Sequence, residues 1–533
     1  MPVENLPLDR RAFLRNMGSI AASATLIKPL QLLAESPRKP NIVVILADDL
    51  GYGDVSCYGA TSVSTPRIDS LAKQGIRFTD AHSDAATCTP SRYAMLTGQY
   101  AWRKDGVQIL PGDAKSLIEP GQTTIPSILK MAGYATGLVG KWHIGLGDGT
   151  IDWNGEIRPG PCELGFDDAF FFPATADRVP TVYIHNHRVV NLDPKDPISV
   201  SYDKKIGDEP TGKEDPDLLK MKLSEGHDGT IVDGISRIGF MTGGKKARWK
   251  DEEIAATFTD KAVQFIEHHQ HQPFLLYFTP SDIHVPRDPA KPFAGKNECG
   301  VRCDVINQLD WSVGRVLDTL KRLHLDHNTL VIFTSDNGPV VNDGYDDGSD
   351  RLLGGHKPAG PYRGGKYTIF EGGTRVPFIV HWGDAIKPAV SDALIGQVDL
   401  LASLASLAGV SVPPGQAVDS INLLPALLGK SDTGRTTLVE EAVVLAIREG
   451  KWKLIDRTQR PGKHPRTGKI RNYPTEDPNH TLPHPEPPHP IAEVELYDTV
   501  TDPHEVHNVA ADHPDIVERM RTTLGAIRAQ GHS

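Results

Sequence analysis

The segment Cys88-Thr89-Pro90-Ser91-Arg92 sets a thiol, a helix-starting proline and a guanidinium at fixed offsets. Proline is favoured in the first turn of a helix, so Cys88 is predicted at or just before a helix N-terminus. Free N–H groups and the macrodipole favour an anion there. Arg92, four residues on, falls on the same helical face and can lean on that anion or on the group at position 88. An exposed thiol in such a place would be acidified and reactive. A buried helical cysteine is the plainer alternative, and it leaves the offsets of Pro90 and Arg92 unexplained. A second chemistry is written in two polar pairs, Asp48-Asp49 and Asp336-Asn337, each closing an apolar run. In open α/β sheets, ligands bind beyond the carboxyl ends of the strands. Three carboxylates and an amide converging there would repel one another unless a cation held them. Oxygen ligation without a Cys or His pair selects a hard ion, Ca2+ or Mg2+. Either pair alone is what turns and helix caps also contain; their joint place at strand ends is what predicts a metal site.

The strands that must carry these pairs are residues 42–47 and 330–334, near-continuous apolar runs of the kind buried on both faces of a parallel sheet. Helices are predicted over 68–75, 124–132 and 253–268, and further strands over 135–139 and 274–278. This alternation implies an α/β domain, a large, mostly parallel mixed sheet flanked by helices. From residue 413 the pattern changes. Residues 442–447, 451–455 and 494–497 read as strands of a small antiparallel sheet, and 514–529 as a closing helix. Residues 148–230, dense in Gly, Pro and Asp, are predicted to form long loops over one face. Residues 457–490 hold many prolines with His464, His480, His484 and His489. Histidine-rich tracts can bind metal, but the irregular spacing and extended proline backbone favour a solvated loop. There is no internal repeat.

Cys-x-Pro-x-Arg followed by an apolar helix and Thr97-Gly98 resembles the signature of the sulfatases, in the alkaline phosphatase superfamily, where the cysteine is oxidised to Cα-formylglycine. Further segments match in order. Gly140-Lys141-Trp142-His143 resembles the family's Gly-Lys-x-His at a strand end, and His284 before Val285-Pro286 its lone histidine near proline. Gly364-Gly365-Lys366 with Glu371-Gly372-Gly373-Thr374-Arg375 resembles the lysine-bearing segment, and the stretch from Leu496-Tyr497-Asp498 to Asn508-Val509-Ala510 the C-terminal subdomain. The resemblance spans residues 40–515. It implies a catalytic domain at 37–412 and a C-terminal α+β subdomain at 413–533.

The resemblance also implies roles. Asp48, Asp49, Asp336 and Asn337, with the modified residue 88, would hold Ca2+, with Mg2+ the lesser alternative. One hydroxyl of the hydrated formylglycine would attack sulfur and displace the alcohol. His284 would protonate the leaving oxygen beside Lys366. His143 would take the proton of the second hydroxyl as sulfate leaves, which a plain Ser or Cys could not arrange. Lys141 and Arg92 would complete a cationic clamp. Asp177 and Arg178, in the loop that shapes the family's pocket, are candidates for sugar hydroxyls or a uronate; equally, the pair could only hold its loop. The partners implied are a sulfated small molecule or glycan and a formylglycine-generating maturation enzyme, with the oligomeric state left open. A hydrolase of phosphomonoesters, phosphonates or phosphodiesters from the same superfamily is the second reading. A catalytically silent protein that only binds sulfated glycans is the third.

The chain has 533 residues, with 57 Lys and Arg against 68 Asp and Glu, a net charge of −11. That balance argues against nucleic-acid binding. Basic Asp9-Arg10-Arg11-Ala12-Phe13-Leu14-Arg15 and a weak apolar run to Ala34 read as an export signal over 1–36, twin-arginine in type. Lys28-Pro29 interrupts that run, so it makes no stable membrane span, which takes roughly 20 apolar residues. The expected location is periplasmic or extracellular, with residue 88 modified in the cytoplasm before or during folding. Setting Cys88 aside, Cys57, Cys162, Cys299 and Cys303 permit up to two disulfides, and Cys299/Cys303 is one candidate pair.

Overall fold

Seven residues, Asn41–Ala47, form strand β1, and every one is buried. Successive side chains of a strand point to opposite faces, so Ile42, Val44 and Leu46 enter one apolar core while Val43, Ile45 and Ala47 enter another. That is the physical meaning of the unbroken apolar run: a strand covered on both sides. The structure, a computed structural model, describes residues 39–459 and 492–530. The predicted export signal and His464, His480, His484 and His489 lie outside the described residues.

The remaining strands of the large sheet are β2 (Ile76–Phe78), β3 (Ala135–Lys141), β4 (Asp168–Phe172), β5 (Ile184–His185), β6 (Arg188–Val189), β7 (Phe274–Thr279), β8 (Thr329–Ser335), β9 (Phe378–His381) and β10 (Ala389–Ser391). They lie in the order β10-β2-β9-β8-β1-β7-β3-β4-β5-β6. From β8 to β4 all neighbours are parallel. β9 is antiparallel to both β8 and β2, so the sheet is mixed. On one face pack helices α2 (Cys88–Thr97), α3 (Ile125–Met131) and α6 (Leu400–Ala408); on the other pack α1 (Pro66–Gln74), α4 (Ile254–His269) and α5 (Gly300–Arg322).

A second sheet of four antiparallel strands follows in chain order: β11 (Thr437–Glu441), β12 (Leu445–Glu449), β13 (Trp452–Asp456) and β14 (Val494–Asp498). Helix α7 (Pro514–Gln530) closes it, with Met520, Leu524 and Ile527 against Leu445, Ile447 and Leu454. No helix among the described residues is long and apolar enough to cross a membrane.

Two elements differ from expectation. The strand predicted at 442–447 is the tip and outgoing arm of a hairpin: Ala442, Val443 and Val444 form the turn, with Ala442 N donating to Val444 O at 2.9 Å. The turn is apolar because it is buried, and so gives no turn signal. The region 148–230, expected as loops, contributes β4, β5 and β6 to the large sheet. Its run Ala169-Phe170-Phe171-Phe172 is buried beside β3, four residues hidden in a glycine- and proline-rich stretch. Of the thiols, Cys299 and Cys303 are joined in a disulfide, whereas Cys57 and Cys162 are free.

Candidate active site

Parallel neighbours end side by side, and the site is built on that fact. Ala47 of β1 is in register with Ser335 of β8, so Asp48-Asp49 and Asp336-Asn337 leave the sheet together. Asp49 N donates to Asp336 Oδ1 at 3.2 Å, and Asn337 Nδ2 donates to Asp49 Oδ1 at 2.7 Å. Asp49 has φ 59°, a left-handed conformation uncommon outside glycine, which turns its carboxylate back over the strand ends.

Cys88 is the first residue of α2, with Pro90 inside the first turn as the sequence predicts. Its Sγ lies 3.9 Å from Asp48 Oδ1. One ligand atom each from Asp48, Asp49, Cys88 and Asp336 falls within 4.8 Å of the others. The thiol is not the exposed, acidified group expected at a helix end. It is 1% exposed, and burial pushes its pKa up despite Lys141 and Lys366 nearby. Arg92 turns toward the strand ends: Nε donates to Asp336 Oδ2 at 2.8 Å and Nη1 to Lys141 O at 3.1 Å.

β3 delivers the next pair. A Cβ on Gly140 would meet Thr279 O of β7 at 2.1 Å, so only glycine lets the two strands run this close where Lys141 leaves the sheet. Lys141 Nζ donates to both oxygens of Asp48, at 2.8 and 2.9 Å. His143, also left-handed at φ 60°, is fixed by Nε2 on Leu110 O at 2.9 Å, and Thr89 Oγ1 of α2 donates to its carbonyl at 2.8 Å. Its Nδ1 is buried and has no hydrogen-bond partner among the described residues. Burial, with Lys141 and Arg178 nearby, holds its pKa well below the ordinary value, so the ring is neutral.

His284 follows β7. Its Nδ1 is 2.7 Å from Val285 O, an N–H donor's position, which leaves Nε2 facing Lys366 Nζ at 3.4 Å and Asp49 Oδ2 at 3.9 Å. Burial and the Lys366 and Lys141 ammonium groups depress its pKa to about 4. Lys366 Nζ is held between Asp49 Oδ2 at 3.0 Å and Asp343 Oδ2 at 2.9 Å.

Asp177 and Arg178 lie beyond β4 and within electrostatic reach of these histidines, Arg178 of His143 and Asp177 of His284. Arg178 Nη1 donates to both oxygens of Asp177, at 2.9 and 3.1 Å, and His227 Nε2 lies 2.9 Å from Asp177 Oδ2. The pair therefore does hold its loop, and it does so at the edge of the site.

Cys88, Arg92, Lys141, His284 and Lys366 each come within 4 Å of a carboxylate oxygen of Asp48, Asp49 or Asp336, and the sixth predicted catalytic residue, His143, lies within electrostatic reach of Lys141 and Arg92. Sequence reasoning missed Asp343 and His227. Asp343 carries no local signal; His227 stands in Gly226-His227-Asp228-Gly229 at φ 55°, a turn like many others.

The donor set fits a hard divalent cation. Asp48, Asp49 and Asp336 are buried, and Asn337 Oδ1 is buried with no hydrogen-bond partner among the described residues. Burial, together with Asp336 and Asp49, lifts the Asp48 carboxyl to about 7 against the pull of Lys141. A bound cation would reverse that lift, and oxygen-only ligation suits Ca2+ or Mg2+.

Comparison with known proteins agrees with this architecture. The family model described as Sulfatase matches residues 40–410. The N-acetylgalactosamine-6-O-sulfatase of Bacteroides thetaiotaomicron is 49% identical over 499 residues, 93% of this chain and 94% of that protein. Human arylsulfatase A is 31% identical over 509 residues, 92% of this chain and 88% of its own length. A solved structure from work on glycosaminoglycan metabolism by B. thetaiotaomicron superposes with a TM-score of 0.86 at 48% identity, covering 92% of this chain and all of that one.

Proposed function

This chain belongs to the sulfatase family, and from that premise we propose that it removes sulfate from the 6-oxygen of N-acetylgalactosamine in a glycan, with Ca2+ and a formylglycine made from Cys88. The observation that carries the chemistry is the meeting of Cys88 with Asp48, Asp49, Asp336, Asn337, Lys141, Lys366 and His284 in one buried cluster. The relative at 49% identity supports the sugar and the position.

Asp48, Asp49, Asp336 and Asn337 would hold the cation, which supplies Lewis-acid polarisation at residue 88 and the sulfate. The hydrated aldehyde at residue 88 supplies an attacking oxygen and a second hydroxyl through which sulfate is released. The other residues act around these. His284 presents Nε2 to the leaving alcohol oxygen, and the proton delivered there is the one shared with Lys366 Nζ, 3.4 Å away. His143, its Nε2 spent on Leu110 O, offers a neutral, buried Nδ1 as the acceptor for the proton given up at residue 88. Lys141 and Arg92 neutralise Asp48 and Asp336 and leave positive charge facing the sulfate. Asp177, Arg178 and His227 form a polar edge suited to sugar hydroxyls.

The burial of Cys88 bears on maturation. A modifying enzyme cannot reach a side chain that is 1% exposed, so oxidation precedes closure of the fold. With a twin-arginine leader, which carries folded proteins, the finished enzyme would leave the cytoplasm already modified and act outside it.

The test is protein co-produced with a formylglycine-generating enzyme. Mass spectrometry of the peptide containing residue 88 should show the thiol replaced by an aldehyde. Sulfate should be released from 6-sulfated N-acetylgalactosamine and not from the 4-sulfated isomer. An intact thiol in active protein removes the mechanism; preference for a phosphodiester reverses the choice of ester.

A further inference from the structure

Two arginines outside the cluster, Arg302 and Arg287, are each about 1% exposed or less, and both reach the same carbonyl. Arg302, in the first turn of α5, donates from Nη1 to Val340 O at 2.9 Å and from Nη2 to Asp49 O at 3.0 Å. Arg287, three residues after His284, donates from Nη2 to Val340 O at 2.7 Å and from Nε to Ile283 O at 2.9 Å. Val340 O is therefore the shared centre of a bridge. One arm ends on the backbone of Asp49; the other ends on the carbonyl immediately before His284.

Each arm is locked. Asp54 pairs with Arg302, accepts Gly51 N at 2.8 Å and lies 2.7 Å from His356 Nε2, so its carboxylate is engaged on every side. Arg287 Nη1 adds Val341 O at 3.0 Å and Asp347 Oδ2 at 2.7 Å. The Cys299–Cys303 disulfide brackets the turn that presents Arg302. Bonds to the carbonyl of a left-handed residue such as Asp49 hold a conformation that the local chain does not favour.

We propose that Arg302 and Arg287 are positioning residues: Arg302 fixes the Asp49 carboxylate for cation binding, and Arg287 fixes His284 for proton transfer. The two planar guanidiniums suit this work because each offers several donors in a rigid fork. Neither touches substrate or reacting atoms, so they act only through the residues they hold. The first half of the proposal rests on the reading of Asp49 as a cation ligand.

The experiment separates the two arms. Wild-type protein, Arg302→Lys and Arg287→Lys are stripped with a chelator and titrated with Ca2+ by calorimetry, and kcat and KM are measured at saturating Ca2+. Arg302→Lys should weaken Ca2+ binding at least tenfold. Arg287→Lys should keep wild-type Ca2+ affinity and KM while kcat falls at least tenfold. The proposal is overturned if the folded variants change both quantities together, or neither beyond twofold. Should Arg302→Lys fail to fold, His356→Gln, which removes a partner of Asp54, should weaken Ca2+ binding about threefold, and unchanged affinity overturns the Arg302 arm. A wild-type protein that takes no Ca2+ instead removes the reading of the metal site, a distinct outcome.

Discussion

Arg92 Nε donates to Asp336 Oδ2 at 2.8 Å, tying α2 to the residue that follows β8. Both side chains are almost wholly buried, so the pair is a joint between two elements as well as part of the charge pattern. Arg92→Met leaves Asp336 buried beside no guanidinium. Breaking a buried pair from one side typically costs about 3–5 kcal/mol. The expected outcome is a lower denaturation midpoint and a fall in sulfate release of about 100-fold or more. Arg92→Lys keeps the charge, loses the second bond to Lys141 O, and should fall between the two.

His143 makes its own separable prediction. With Nε2 committed to Leu110 O and Nδ1 without a partner among the described residues, the mechanism proposed above would make the ring a base in the second half of the reaction and leave it idle in the first. His143→Ala should release about one equivalent of alcohol per site and then stall, about 100-fold slower than wild type, within the range for a general base. Rapid-mixing measurement of alcohol against sulfate checks this. Equal slowing of both products from the first turnover would remove His143 from the second step.

How much of this was legible in the sequence follows from which interactions are local. Asp48-Asp49 and Asp336-Asn337 were readable because each ends its own apolar run, and parallel pairing then brings any two such ends together. Cys88 was readable as a helix start because Pro90 acts within one turn. Its burial was not, since that depends on β1, β8 and the segments bearing Lys141 and Lys366 closing over it. Asp343 and His227 escaped for a related reason. They arrive on long connections, and their partners Lys366 and Asp177 are 23 and 50 residues away. No periodicity encodes such a contact. The hairpin turn at Ala442–Val444 escaped because its apolar residues are chosen by burial and not by turn chemistry.

The Cys299–Cys303 bridge closes a loop of sequence separation 4. Chain-entropy reasoning assigns so short a loop only about 2 kcal/mol. Cys299→Ser with Cys303→Ser should therefore lower stability by about that amount while the enzyme still folds. Guanidinium unfolding of the two proteins, compared without reductant, gives the value. A much larger loss would mean that the bridge does more than restrict the unfolded chain.

A buried ion network away from the cluster makes stability depend on pH. His82, four residues after β2, is buried, with Nδ1 2.8 Å from Glu440 Oε1 and Nε2 2.8 Å from Asp80 Oδ1. Burial disfavours the charged ring, but Glu440, Glu371 and Asp80 outweigh it, and the pKa is raised above the ordinary 6.5. Glu440 belongs to β11 and Asp80 follows β2, so the charged ring ties the small sheet to the large one. A raised histidine pKa stabilises the folded state fully below the unfolded value near 6.5, and that share is lost as pH rises through the folded value. The carboxylates of Asp80 and Glu440, held below their ordinary range, stay ionised across this window and contribute no slope. Guanidinium midpoints at pH 6, 7.5 and 9 should therefore fall more steeply for the wild type than for His82→Gln. The gap between them should be widest at pH 6 and narrow toward pH 9. A gap that stays constant over that range would mean that His82 is neutral in the fold and that the Glu440 contact is a plain hydrogen bond.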